Sequence, residues 1–163
     1  MKAESWASSA AVRRSMQGNK GRDTSPELAV RRLLHAAGLR YRVNYRPLPG
    51  LRRTADVVFT RKKIAVFIDG CFWHSCPIHA TSPKTNSSYW LSKLEANSAR
   101  DADTNAQLQA AGWAVFRYWE HESSDAVARE VTEAVVTDGP GTRQLRNTGP
   151  YASWQKSGSQ LAE

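Results

Sequence analysis

A short apolar run that ends in a dense group of reactive residues constrains this chain more than any other feature. The run Ile64–Ile68 contains no polar residue and predicts a strand buried on both faces. Asp69 and Gly70 end it, and the nine positions from Cys71 to His79 then hold both cysteines and two of the four histidines. A buried strand needs no such ending for its own stability, so we predict a functional site at its carboxyl end.

Length and charge limit the class of protein. The 163 residues suffice for one domain with a sizeable core, and the formal charge of +8 favours nucleic acid over an anionic membrane surface as the partner. No apolar run approaches the roughly 20 residues that span a bilayer, and the N-terminus lacks the apolar core of a signal peptide. Cysteines beside histidines indicate metal binding or reactivity rather than a disulfide. We therefore expect a soluble, cytoplasmic protein.

Apolar periodicity and capping residues predict the secondary structure and, from its order, the fold class. The predicted helices are Ser8–Gln17, Ser25–Ala37, Ser88–Ala111 and Asp125–Val136. The predicted strands are Arg40–Asn44, Ala55–Phe59, Ile64–Ile68 and Trp113–Trp119. This order predicts an α/β protein, an α/β/α sandwich around a central mixed sheet. We divide the chain into a basic N-terminal arm (1–22), one folded domain (23–136) and a disordered polar tail (137–163).

Asp56 is a carboxylate within the otherwise apolar strand Ala55–Phe59. Buried without a partner it would cost several kcal/mol, so we expect an ion pair or a bound cation. Alternatively, the strand lies at an edge of the sheet and Asp56 faces water. A charged hairpin turn would bring Asp56 near Asp69 and His74, and carboxylates on adjacent strands suit Mg²⁺ bound against a phosphodiester.

His74 has two competing interpretations. As a general base it would activate a water nucleophile, because the unperturbed pKa of histidine lies near neutral. As a zinc ligand it would join the neighbouring cysteines. A complete set of four zinc ligands exists without it, namely Cys71, Cys76, His79 and the distant His121.

Phe72 and Trp73 lie in the same stretch, and Trp90 lies at the start of the long predicted helix. Exposed aromatic side chains on a basic protein can insert between DNA bases. Packing in the core is the usual role of any single tryptophan. Because Phe72 and Trp73 lie beyond the strand and between candidate site residues, we predict that they insert into DNA and are substantially exposed in the free protein.

Several motifs, in this order, resemble the very short patch repair (Vsr) endonucleases. They are Arg22-Asp-Thr-Ser-Pro-Glu27, Leu48-Pro-Gly50 before Asp56, Val66-Phe-Ile-Asp-Gly-Cys-Phe-Trp-His74, Tyr89-Trp-Leu91 and Gly112-Trp-Ala-Val-Phe with Trp119-Glu120. The resemblance covers about residues 12–122, and its Gly-Cys-Phe-Trp-His run is highly specific. It implies a fold of the restriction-endonuclease type. It also implies a Mg²⁺-dependent nick in one DNA strand, 5′ to the T of a T/G mismatch that arises by deamination of 5-methylcytosine.

The resemblance implies a role for each candidate residue. Mg²⁺ would be held by Asp56 and the backbone carbonyl of Ile68, with His74 as the general base. The other catalytic acids would be Glu27, which contacts metal-bound water, Asp101, which supports the site, and Asp69, a second acid near the metal. The residues that contact DNA would be Phe72, Trp73, Trp90, Arg22 and Lys93. A structural zinc ion would be bound by Cys71, Cys76, His79 and His121.

Three positions depart from the pattern of this family. Ala55 stands where a proline usually precedes the metal-binding aspartate, Asp69 stands where some members carry histidine, and His121 differs from some members that use cysteine. We predict a monomeric, bacterial, nucleoid-associated enzyme of mismatch repair, and recruitment of a MutL-type protein stays open. The alternative is a nicking enzyme, or a non-cutting zinc-bearing module, that recognises methylated or otherwise modified DNA. A zinc-dependent hydrolase would need an open zinc position, which four protein ligands close.

Overall fold

The computed structural model describes residues 21–79 and 86–137. The predicted helix Ser8–Gln17, nearly all of the basic arm and almost the whole polar tail lie outside these residues. The described elements, in chain order, are α1 (Ser25–Ala36), β1 (Arg42–Tyr45), β2 (Ala55–Phe59), β3 (Ile64–Asp69), α2 (Ser87–Ala110), β4 (Ala114–Trp119) and α3 (Ser124–Thr137). Every element predicted within the described residues is confirmed, with its ends shifted by two residues or fewer.

The strands form one mixed sheet in the order β1-β2-β3-β4. β2 pairs antiparallel with both β1 and β3, whereas β3 and β4 pair in parallel from Ile64 opposite Ala114 to Asp69 opposite Trp119. A parallel pair needs a crossover connection, which α2 supplies. Because β3 and β4 run in the same direction, the segments that follow them begin at the same edge of the sheet.

Helices cover the sheet on both faces, as the predicted sandwich requires. On one face, Leu34 of α1 and Val131 of α3 share an apolar core with Val66 of β3. On the other face, Leu108 of α2 belongs to a second apolar core that includes Phe67. Successive side chains of a strand point to opposite faces, so neighbouring residues of β3 enter different cores. The α/β class and the mixed sheet are therefore confirmed.

The helices of the described stretches range from 12 to 24 residues. α1 has a proline in its first turn, and Gly38 follows it at a φ of +79°, the left-handed conformation that glycine adopts readily at helix ends. Within residues 21–79 and 86–137, no helix combines the length and the apolar character needed to cross a membrane.

Candidate active site and metal centre

The segment Gly70–His79, called here the site loop, leaves β3 and carries most of the candidate site residues. It is held by short backbone bonds, among them Cys76 N–H to the Cys71 carbonyl at 2.9 Å. Glu120, directly after β4, fastens the loop to both strands. Its carboxylate accepts a hydrogen bond from Cys71 N–H at 2.7 Å, and its own N–H donates to the Asp69 carbonyl at 2.9 Å. The site loop is therefore anchored where the two parallel strands end.

Asp56 is half-buried on β2, and its carboxylate accepts a hydrogen bond from the Ile68 N–H at 2.7 Å. β2 is an inner strand, so the alternative of a water-facing edge position is wrong. Burial, together with the negative charges of Glu27 and Asp69, raises the pKa of Asp56 to about 7, and the Ile68 hydrogen bond only partly opposes this. Ionised Asp56 is disfavoured because it is partly buried and lies near other negative charges. A bound cation would stabilise this carboxylate. Its oxygen donors suit a hard ion such as Mg²⁺.

His74 lies between two carboxylates. Its Nδ1 atom is 2.5 Å from Oδ2 of Asp101, and its Nε2 atom is 3.8 Å from Oδ1 of Asp69. Burial lowers the pKa of His74, but the Asp101 hydrogen bond and the two negative charges outweigh burial, so the pKa is raised overall. A carboxylate partner at Nδ1 assigns the ring proton to that atom and leaves the Nε2 lone pair as the acceptor. This arrangement suits a general base.

Arg117 completes the network around His74, although we did not predict it from the sequence. It is 5% exposed, and its NH1 group donates to both oxygens of Asp69 at 2.8 and 2.7 Å. Its NH2 group lies 3.3 Å from Oδ1 of Asp101, and Nε donates to Asn105 at 2.9 Å. A signal was available, because an arginine within the otherwise apolar strand β4 must find a buried anion.

Glu27, at the start of α1, is only 4% exposed and is held by local partners. Its carboxylate accepts hydrogen bonds from Asp23 N–H at 2.8 Å, from the Thr24 hydroxyl at 3.0 Å and from the Arg31 guanidinium at 2.9 Å. Its negative charge nevertheless contributes to the raised pKa of Asp56. The helix therefore brings a carboxylate to the site, and its contact with metal-bound water stays a prediction.

Cys71, Cys76, His79 and His121 form a second group beside the acidic one, and their ligand atoms all lie within 4.8 Å of one another. The Nδ1 atom of His121 is 3.1 Å from the Cys71 sulfur and 3.2 Å from Nδ1 of His79. The Cys76 sulfur lies 3.8 Å from Nδ1 of each histidine. Tetrahedral zinc bonds imply ligand separations of roughly 3.3–3.8 Å. These four side chains could therefore hold a metal ion such as zinc, and His74 is not one of them.

Both cysteines are free thiols. Burial, together with the neighbouring Cys76 thiol, raises the pKa of Cys71 to about 12. Without a cation the Cys71 thiol therefore keeps its proton at neutral pH. A bound metal ion would displace that proton, since the thiolate is the ligand form.

The aromatic residues predicted to enter DNA form one cluster, the aromatic cluster of Phe72, Trp73 and Trp90. Their ring centroids lie 5.2 to 5.9 Å apart, and Nζ of Lys93 lies 5.5 Å above the Trp73 ring. Phe72 and Trp73 are half-buried and Trp90 is 5% exposed, so the substantial exposure that we expected is absent. The rings cover one another, because apolar faces shed water by packing together. Their insertion into DNA stays a prediction, as does DNA contact by Lys93 and by the exposed Arg22.

Comparison with known proteins gives the family. The sequence model described as DNA mismatch endonuclease Vsr matches residues 8–79. The Type II nicking enzyme V.NaeI of Lentzea aerocolonigenes is 50% identical over 121 residues, which cover 72% of this chain and 73% of that protein. The Type II nicking enzyme V.XorIIP of Xanthomonas oryzae is 44% identical over 76% of this chain and 89% of that protein. The DNA mismatch endonuclease Vsr of Escherichia coli is 35% identical over 66% of this chain and 67% of that protein. This chain therefore belongs to the Vsr endonuclease family.

Proposed function

We propose that this protein is a metal-dependent DNA-nicking endonuclease whose hydrolytic centre comprises Asp56 and His74. The observation that carries the proposal is the Asp101–His74 pair, which leaves Nε2 of His74 as a proton acceptor. The charge of Asp69 raises the pKa of both His74 and the half-buried Asp56, which links the two groups. Relatives named as Type II nicking enzymes support cutting of one strand. The layered mixed sheet is consistent with the restriction-endonuclease type of fold that the resemblance implied.

Each proposed catalytic group has one role in the hydrolysis. Nε2 of His74 accepts a proton from the attacking water while Asp101 holds the imidazole ring and stabilises its positive charge. The water oxygen forms a bond to phosphorus as the bond from phosphorus to the 3′ oxygen breaks. The 3′ oxygen takes a proton from solvent water, which leaves a 5′-phosphate and a 3′-hydroxyl. A Mg²⁺ ion at Asp56 and the Ile68 carbonyl would neutralise the negative charge that develops on the phosphate and the leaving oxygen.

The substrate that we propose is duplex DNA with a T/G mismatch, cut 5′ to the T. The description of the matching family as a mismatch endonuclease supports this choice, as do the basic charge and the aromatic cluster beside the site. The alternative is a nicking enzyme that acts on methylated or modified DNA. Several relatives are named nicking enzymes, so the nicking activity has stronger support than the role in mismatch repair. The non-cutting module has no such support.

A plasmid assay tests the reaction and the substrate together. Supercoiled plasmid with a single T/G mismatch, its matched counterpart and a methylated counterpart are each incubated with the protein and Mg²⁺. We expect open circles only from the mismatched plasmid, and a loss of about 10²–10⁴-fold in rate for His74→Ala, the range for removal of a general base. Equal nicking of the methylated or the matched plasmid would contradict the assignment of a T/G mismatch as the substrate. An absence of open circles from all three would contradict the endonuclease centre.

A further inference from the structure

We propose that Arg117 is a positioning residue for the hydrolytic centre, which holds Asp69 and Asp101 on their separate sides of His74. The inference rests on the proposed function, because it takes His74 as the general base. It also gives Asp69 a different role from the second catalytic acid that the resemblance implied. In our proposal, Asp69 is the anion that anchors Arg117.

The alternation of side chains along two parallel strands brings these groups together. Phe67 and Asp69 lie two residues apart on β3 and therefore share a face, the face that packs on α2. Arg117 lies opposite Phe67 in the β3–β4 register, and its guanidinium carbon is 4.2 Å from the Phe67 ring centroid. The arginine side chain is thus confined between the sheet and α2, with its charge directed at the strand end.

All three guanidinium nitrogens have partners, which lie on two elements. Nε donates to Asn105 on α2, NH1 donates to Asp69 on β3, and NH2 reaches Asp101 on α2. Arg117 is a planar fork whose donors are fixed relative to one another, so it sets the separation of the two carboxylates. Lysine would keep the charge but could not hold the same three directions.

The two carboxylates approach different nitrogens of His74, and only one of them is within hydrogen-bond distance. Asp101 bonds Nδ1 at 2.5 Å, whereas Asp69 remains 3.8 Å from Nε2, the atom that must receive the proton of water. Both oxygens of Asp69 are engaged by Arg117. Without Arg117, Asp69 would be a buried carboxylate that has lost this partner, and it lies only 3.8 Å from the Nε2 side of the His74 ring. Arg117 therefore keeps the proton-accepting atom of His74 accessible.

A double-variant experiment separates positioning from folding. Single-turnover nicking of the T/G duplex is measured with saturating protein and Mg²⁺, well below the melting temperature of each variant, beside DNA affinity. We expect Arg117→Met to lower the maximal rate about 100-fold, the scale of a misplaced catalytic group, while the Kd for DNA changes by less than about twofold. Adding Asp69→Asn to Arg117→Met should restore about tenfold of the rate, because the competing carboxylate is neutralised.

Arg53→Met is the matched control. Arg53 also ties another segment to α2, donating to Asp103 at 2.7 Å and Thr104 at 2.6 Å, but it contacts neither carboxylate beside His74. Its loss should change the maximal nicking rate by less than about twofold. Arg117→Lys preserves a buried cation and provides the test should the methionine variant not fold. It should lower the rate about tenfold with unchanged DNA affinity.

The outcomes distinguish the inference from the function on which it rests. A wild-type maximal rate in Arg117→Lys or Arg117→Met would overturn the positioning role, and so would a double variant as slow as Arg117→Met. A wild-type rate in His74→Ala would instead overturn the proposed general base. Slow nicking by His74→Ala supports the proposed general base. Slow nicking by Arg117→Met that is partly restored by adding Asp69→Asn supports the positioning role.

Discussion

Two groups of side chains that meet at the site loop satisfy their polar atoms in opposite ways. Around His74, charged groups bond one another, and the buried Arg117 has partners for each nitrogen. In the other group, four ligand atoms lie within 4.8 Å of one another, from Cys71, Cys76, His79 and His121. The first group can keep its geometry by its own ion pairs. In the second group, thiols and imidazoles interact only weakly with one another. A bound metal ion would stabilise their arrangement far more.

The comparison indicates that the two groups serve different purposes, one in catalysis and the other in holding the site loop. His74 lies between Cys71 and Cys76 in sequence, so a metal ion bound by the cysteines would fix the backbone on both sides of the proposed base. Rigid support of this kind is what a catalytic side chain needs to stay within reach of its substrate. The two groups are expected to fail differently when altered, the first in chemistry and the second in stability.

The largest effect on chemistry is expected from Asp56→Asn. The substitution keeps the shape of the side chain but removes the anionic ligand of the proposed Mg²⁺ site, so nicking should fall by about 10³-fold or more, about 4 kcal/mol of transition-state stabilisation. The variant should remain folded, and its DNA affinity should stay near wild type. Asp103→Asn, which alters an exposed carboxylate paired with Arg53, is the matched control and should nick normally. Robust Mg²⁺-dependent nicking by Asp56→Asn would remove Asp56 from the mechanism.

Cys76→Ser should act on stability instead. The Cys76 sulfur is fully buried, and loss of one ligand should release the metal and lower the free energy of unfolding by several kcal/mol. Metal analysis of purified wild-type protein should find about one zinc ion per chain. His35→Gln, at an exposed histidine on α1, should retain the metal. Protein that is folded, active and free of zinc would contradict the assignment.

Trp73→Ala should give a smaller and mixed effect. Because Trp73 is half-buried in the aromatic cluster, we expect a stability loss of about 1–2 kcal/mol, below the about 3–5 kcal/mol of a core tryptophan. If the ring enters the DNA stack, the preference for mismatched over matched duplex should fall by about tenfold. Trp113 is a half-buried tryptophan directly before β4, at the end of the strand far from the site loop. Trp113→Ala should therefore lower stability without changing the preference for mismatched duplex. An intact mismatch preference in Trp73→Ala would assign this tryptophan to packing alone.

The last prediction concerns pH and the acidic group around Asp56 in the absence of metal. The folded-state pKa of Asp56, raised to about 7, exceeds its unfolded value, so the folded protein binds the proton more tightly between the two values. The contribution of Asp56 to stability is therefore full at low pH and is lost as pH rises toward 7, by up to about 1.4 kcal/mol per pH unit. Denaturant unfolding without added Mg²⁺ should show this slope in the wild type and a reduced slope in Asp56→Asn. Parallel curves would show that Asp56 titrates normally.

Local patterns in the sequence predicted the elements and most of the candidate residues. The strand β2 was predicted with its observed ends, Ala55 and Phe59, because apolar period and turn residues are local properties. The close spacing of Cys71, Cys76 and His79 likewise confines three ligands to one loop whatever the rest of the chain does. His121, just after the predicted strand Trp113–Trp119, was the fourth candidate ligand, and the resemblance to the Vsr family added Asp101 on α2.

Tertiary structure alone decided which distant groups meet. The parallel register of β3 and β4 sets Arg117 beside Asp69, and the rotation of α2 about its axis brings Asp101 to His74. The packing of Phe72 and Trp73 on Trp90 also reversed the expected exposure of these rings. Local sequence fixes which face of a strand or helix each side chain occupies. The partners on that face follow from strand register and helix packing, which depend on the whole core at once.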